Sequence, residues 1–375
     1  GVIASYGEQL TLQSFTGPTL TTAPALNTTS QHWHLEVGES AGTSVVVVID
    51  NTEDSHSDEA YYGTLTTLLG NSTFTVQQLN MPFRTSGEIT ADTAVRAIQV
   101  VSNGAFRFWL LLKNSTALPD VYTIGFYEYP DASVNTAVRY TLPGVSPDHI
   151  PSSIVFRPDG GEGRIYAAMH NANTVLRLTV SGGALSLAET ITGFNDPAGV
   201  SESNLLASST AVIWVANCGA STVSHFTTQG DKGDVTVGAS PVSLAEASDG
   251  YIWVSYSDTV GGSHTVTRIH PTLYTTETFS VPSAVGVMAP ALVGAMWGVG
   301  DLTDNVYHIT SSGVVTIFDV PSGPRDIVSD AAGNAYVACF GSGVVVAVHG
   351  TTLESTFATG FGLASIVSRE CLAVG

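Results

Sequence analysis

Chemistry on this chain has to come from a small number of histidines and carboxylates set between apolar runs. Residues 50–62 read DNTEDSHSDEAYY. Asp50, Glu53, Asp54 and Asp58 bring oxygen ligands at short spacing, the donor set that suits Ca²⁺, Mg²⁺ or another hard cation. The segment lacks the glycine and terminal glutamate register of an EF-hand loop, so a solvated hairpin tip is the competing reading. Residues 31–37, QHWHLEV, put His32 and His34 on one face of a strand with Trp33 opposite. Two imidazoles at that spacing could share a metal, but a third ligand with clear spacing is missing. Further on, His170, Asp258, His264, Asp301 and Asp304 fall in corresponding loops of successive units. Converging, they would make a polar binding pocket with general acid–base capacity. Arg325 and Asp326 stand together at a strand entry in PRDIV, where mutual pairing is the simplest reading. No G-x-S-x-G, P-loop, H-E-x-x-H or C-x-x-C motif is present.

What positions these residues is a chain of 375 residues, long enough for two or three average domains or one large all-β domain. Hydrophobic residues make up 43% and mean hydropathy is +0.23, so a sizeable core is available. No apolar run approaches the ~20 residues that span a bilayer, and no signal-peptide pattern is read at the start. The formal charge is −20, from 32 acids against 12 lysines and arginines. Clustered cations, which a phosphate-binding surface needs, are absent. Nucleic acid and anionic membrane are therefore excluded as partners. Cys218, Cys339 and Cys371 are far apart and cannot all pair. They read as small buried strand residues, with a Cys339–Cys371 disulfide as the alternative.

Short runs rich in Val, Ile, Thr and aromatics recur between Gly, Asp, Asn and Pro, the signature of strands and turns. In the second half they repeat. A proline before a short apolar run opens PSSIVF (151), PAGVSE (197), PVSLAE (241), PSAVGV (282) and PRDIVS (324), at intervals of 41–46 residues. An aromatic within an apolar strand follows each: RIYAAM, VIWVAN, YIWVSY, AMWGVG, AYVACF. A third strand follows: NTVLRL, STVSHF, HTVTRI, DNVYHI, SGVVVA. Units of this length with four strands describe the blades of a β-propeller. Residues 32–80 and 95–142 parse as two more four-strand units with longer loops. LASIVS and ECLAV at the C-terminal end read as first and second strands, and residues 1–16 as a third and fourth. The expectation is a single all-β propeller domain, with divergent blades over 32–142 and regular repeats over 151–360. Residues 1–16 and 361–375 would share a closing blade, which removes both unpaired sheet edges. The count is eight blades, with seven as the alternative.

The five regular units resemble the streptogramin lyase-like (virginiamycin B lyase-like) and NHL-type propellers. The resemblance rests on the proline before the first strand, on D-x-x-G-N-x-Y-V at 330–337 and on MWGVGDLTDNVYHITSSGVVTIFDVP at 296–321. It covers about residues 150–360 and implies the fold. The lyases use histidine and glutamate with magnesium, and their repeat strand ends in an acid, as in W-F-T-E. The matching strands here read YAAM, WVAN, WVSY, WGVG and YVAC, so the resemblance carries over no catalytic residue.

Two functions follow as expectations. The first is a non-enzymatic interaction or structural module, extracellular, on a cell surface or in a virion, with a protein partner or assembly subunits. The second is a metal-dependent lyase or hydrolase of the streptogramin-lyase type. A glycan- or small-ligand-binding propeller is the remaining alternative.

Overall fold

A computed structural model describes thirty-two strands between Val2 and Ala358. Connections are described from residue 151 onward, apart from 160–161, 171, 182–183, 204–211, 228–230, 258–263, 330–332, 334, 340–343 and 350–351. The connections before residue 151, except Leu142, and residues 359–375 fall outside the described residues, and side chains before residue 151 are described at four positions only.

The strands form eight four-stranded antiparallel sheets that follow one another along the chain, within residues 2–27, 32–79, 94–141, 151–192, 197–236, 241–280, 285–319 and 324–358. The second to eighth are simple up-and-down meanders. The strands read from residues 32–80 and 95–142 are where the sequence placed them: His32–Ser40, Thr43–Asp50, Ala60–Thr66 and Thr73–Leu79, then Ala94–Val100, Phe106–Asn114, Val121–Tyr129 and Val138–Thr141. Residues 1–16 give the hairpin Val2–Tyr6 and Gln9–Thr16, which carries two further short strands, Thr19–Thr22 and Leu26–Asn27. The proposed sharing of this sheet with 361–375 lies outside the described residues.

Each sheet is packed face to face with its neighbours, and strict side-chain alternation makes this possible. In Val212–Asn217 of the fifth sheet, Ile213 and Val215 point into the fourth sheet, against Tyr166, Ala168 and Val175. Val212 and Trp214 point into the sixth, against Ile252, Val254 and Ile269. Trp253 and Trp297 repeat the arrangement one and two sheets on. The recurrent aromatic is thus the residue that fills the gap to the following sheet. The second strands Val212–Asn217, Ile252–Tyr256 and Met296–Gly300 are buried throughout, whereas outer strands such as Thr276–Ser280 and Lys232–Thr236 are mostly exposed and carry Thr, Glu, Asp and Lys. Polar edges of this kind blunt sheet-to-sheet aggregation.

Opposite four of the five recurrent aromatics the third strand carries a cation or imidazole: Arg177 beside Tyr166, His225 beside Trp214, Arg268 beside Trp253, His308 beside Trp297, whereas Tyr336 pairs with Ala347. Arg177 and Arg268 are completed by Glu189 and Glu277 at 2.9 and 3.0 Å. The two histidines make tilted ring contacts instead, with Trp214 at 5.3 Å and Trp297 at 4.6 Å between ring centroids. Burial lowers the pKa of both, with Asp234 opposing the effect at His225. A folded-state pKa below the ordinary 6.5 means that the unfolded chain takes up protons first. Stability from these groups is therefore full above about pH 6.5 and falls on acidification. Urea midpoints measured across that window should decline with falling pH, and the decline should be shallower in a His225→Gln/His308→Gln chain.

Two sequence expectations are corrected. Cys339 is buried and outside any disulfide, so the Cys339–Cys371 bond is not formed, while Cys218 is disulfide-bonded rather than a simple buried thiol. In the seventh sheet the opening proline is displaced: the first strand runs Val285–Pro290, and Val285, paired with the last residue of the second strand, stands where the fourth, fifth, sixth and eighth sheets have proline. Pro282 falls in the preceding crossing.

Candidate binding faces

Two sets of connections meet at opposite ends of these sheets. At one end lie the loops between second and third strands and the crossings to the next sheet. At the other lie the first-to-second turns and the third-to-fourth hairpins.

The first end gathers the polar residues singled out in the sequence. His170 follows the strand Glu162–Met169, and its Nδ1 lies 2.6 Å from Oδ1 of Asp196, in the crossing to the fifth sheet. Asn173 and Asp196 both adopt left-handed backbone, φ +56° and +54°, a conformation that short polar side chains tolerate. The Asp196 N–H donates to Oδ1 of Asn173 at 2.7 Å, and the Cys218 N–H donates to the Asp196 carbonyl at 2.9 Å. The His170–Asp196 pair therefore clamps the fourth sheet to the fifth. His264 borders a cavity of about 90 Å³ with Gly238, Ala239, Tyr256, Ser257, Thr265 and Ala284, and its carbonyl accepts from the Val281 N–H. The Asp301 N–H donates to the Ala284 carbonyl at 2.7 Å. Asp304 accepts from the Gly323 N–H at 2.8 Å. Burial, and then the Asp304 charge, push the Cys339 thiol up to about 12. The structure thus places each described candidate at one end of the sheets but on its own sheet crossing, where it joins neighbours.

Asp258 lies outside the described residues, as do Glu53, Asp54 and Asp58 and the side chains of Asp50 and Arg325. His32 pairs with Asp50 and His34 with Ile49, with a register shift between them. The side chains of both histidines lie outside the described residues. Among the described residues no group of three His, Cys, Asp or Glu side chains is arranged to hold a metal ion.

A second polar device was missed in the sequence. Asn217, at the end of a second strand, donates to Oγ of Ser224 at 2.8 Å, and Ser224 donates to Asp234 at 2.5 Å. One sheet on, Tyr256 donates to Thr267 at 2.6 Å, which bonds Thr278 at 2.9 Å. One further on, Gly300 leaves room for Tyr307, whose hydroxyl bonds Ser283 at 2.7 Å. A large residue on one strand thus faces a small one on the next, and a buried hydroxyl bridges outward. The available signal was a polar residue, Ser224, Thr267 or Tyr307, at the same inward position of successive third strands.

The opposite end is apolar in one place. The hairpin of the sixth sheet exposes Leu273 and partly exposes Tyr274, which stacks on His225 at 4.0 Å. The seventh sheet exposes Leu292, Val293 and Val314 at the same end, and Val293 is 86% exposed. Leu302 is exposed at the polar end and Ile317 on an outer strand.

Neither the family models nor the curated protein sequences compared contain a match to this chain. Solved structures do. A virginiamycin B lyase from Staphylococcus aureus, in complex with quinupristin, aligns with TM-score 0.55 and 15% identity over 82% of this chain and 92% of its own. The BBS1 N-terminal portion bound to ARL6 aligns with TM-score 0.54 and 13% identity, over 88% and 94%. The dihydro-heme d1 dehydrogenase NirN aligns with TM-score 0.57 and 10% identity, over 95% and 72%. Identities this low speak to fold alone. The chain is a β-propeller. Its sheets are the blades, and the first strands of successive blades touch one another from the first blade to the eighth sheet along the chain. The likeness to the streptogramin lyases read from residues 150–360 holds at the level of this propeller fold.

Proposed function

We propose that this propeller is a non-enzymatic interaction module that holds a protein partner or neighbouring subunits of an exterior assembly, such as a cell envelope, a secreted complex or a virion. The observation that carries the reading is the set of exposed apolar side chains, Leu273, Tyr274, Leu292, Val293 and Val314, on turns at the same end of two successive blades. Exposed apolar surface gathered at one end costs solubility and marks contact sites. At the other end, His170, Asp196 and Asp304 are spent on joining one blade to the next. BBS1, a structural neighbour solved with ARL6 bound, is a propeller that engages a protein.

The test is the native mass, by size-exclusion chromatography with light scattering on material from its natural source. Co-migration with a defined multimer or a larger particle is expected. A lone 39.0 kDa species would overturn the proposal.

A further inference from the structure

We propose that the turn at residues 292–295 is the anchor of a docking site for a polypeptide that presents apolar side chains flanked by lysine or arginine. The inference rests on the interaction reading above and names its surface and the chemistry of its partner.

The turn is abnormal for its place. The Ala295 N–H donates to the Leu292 carbonyl, and the two central residues are left-handed: Val293 at φ 58°, ψ 40° and Gly294 at φ +72°. That is a type I′ turn, whose first central position favours Asn, Asp or Gly. Valine is among the worst residues there, because its branched Cβ crowds the backbone. The corresponding turn of the preceding blade has Ser248, Asp249 and Gly250, with only the glycine at positive φ. A strained β-branched residue that is also 86% exposed gains nothing from the core of its own chain. Strain of this kind persists at sites where a side chain is presented for use.

The surroundings set the partner. The first-to-second turn and the third-to-fourth hairpin of one blade are separated by about two strand spacings, roughly 10 Å. Val293 and Val314 of the seventh blade are thus near neighbours at one end of the same sheet. Leu292 reaches Gly333 of the eighth blade, where a Cβ would strike its side chain. On the other flank the exposed Asp249 carboxylate lies against Gly294, close enough that a Cβ there would strike it. An apolar strip is therefore bordered by a carboxylate, on a chain that carries −20 overall with 12 basic residues. A second copy would bring the same charge and be repelled. A partner with basic residues beside its apolar ones is attracted, and desolvates less charge than an acidic one.

The experiment selects a random peptide display library on the full chain and compares each recovered peptide on Leu292→Ser/Val293→Asn. The expected peptides combine aliphatic or aromatic residues with Lys or Arg. They should bind the double variant about tenfold more weakly, and binding to the wild type should weaken as salt rises. Val293→Asn alone should melt slightly higher than wild type, because asparagine accepts the left-handed turn. Weaker binding by this single variant then cannot be blamed on unfolding, and the melt of the double variant is read beside it. Recovery of no peptide, of acidic peptides, or of peptides indifferent to the double variant would overturn the proposal. So would self-association of the wild type abolished by the double variant, which would make a second copy the occupant. If the natural-source complex persists with the double variant, the surface is wrong and the interaction reading stands. If no natural complex exists, that reading falls first.

Discussion

Trp297→Ala should remove about 3–5 kcal/mol of unfolding free energy, the largest loss among the three repeat tryptophans. All three are buried in the gap to the following blade. Trp297 lies among Val299, Val306 and Phe318 of its own blade and Ile327, Ala335 and Val337 of the next. Truncation leaves a cavity that two rigid sheets cannot close, since each is held by its own ladder and by its other neighbour. What separates Trp297 from its counterparts is its indole N–H. It donates to the Gly333 carbonyl at 3.0 Å, in the first-to-second turn of the eighth blade. The indole N–H groups of Trp214 and Trp253 are buried without a hydrogen-bond partner among the described residues. A phenylalanine scan therefore discriminates. Trp297→Phe forfeits a real interblade hydrogen bond and strands a carbonyl, costing about 1–3 kcal/mol beyond the lost volume. Trp253→Phe removes a donor that was desolvated for nothing, so its loss should be the smaller. Urea unfolding of the two variants, side by side, reads the difference. Equal losses would mean that the interblade hydrogen bond is worth nothing in water.

Most of the fold was legible because its determinants are local and periodic. Aromatic, turn and third-strand markers recur at blade length, and strands of the divergent region fell where alternation placed them, as at His32–Ser40 and Phe106–Asn114. The displaced proline of the seventh blade escaped because Pro282, three residues before the strand, still falls at blade spacing from its neighbours. The short strands Thr19–Thr22 and Leu26–Asn27 escaped because they are too brief to show alternation. The candidate site was legible only as a location. His170, His264, Asp301 and Asp304 do lie at one end of the blades, but what each carboxylate or imidazole does depends on residues a crossing away. Asp196, which meets His170, is 26 positions further along the chain and carries no motif. The strained Val293 was invisible for another reason. In sequence, ALVG merely lies between PSAVGV and AMWGVG, and only the backbone reveals the left-handed turn at its centre.

Two glycines of innermost strands should respond in opposite ways. Gly199 stands at the third position of the fifth blade's opening, PAG, where the sixth blade has Ser243, and Gly286 at the second position of the seventh blade's, where the sixth has Val242. At Gly199 a Cβ would lie 2.7 Å from the Val242 carbonyl oxygen and 3.5 Å from the Ser243 Cα. Those are backbone atoms of the neighbouring innermost strand Pro241–Glu246, held by its own pairing to Ile252–Tyr256, so no rotamer change can relieve the contact. Gly199→Val must push the fifth and sixth blades apart where they converge on the channel. Overpacking of this kind costs about 1–3 kcal/mol and more where backbone must move. The added gap would also expose Ala198 and Val242, which pack together there with Cys218. At Gly286 nothing lies within 4 Å of the added carbon. Gly286→Ala should be neutral or stabilising by about 0.4–1 kcal/mol, because it restricts the unfolded chain at no cost to the folded one. Thermal melts of the two variants decide the point. The contrast then reports on how closely each innermost strand approaches its neighbours rather than on strand propensity.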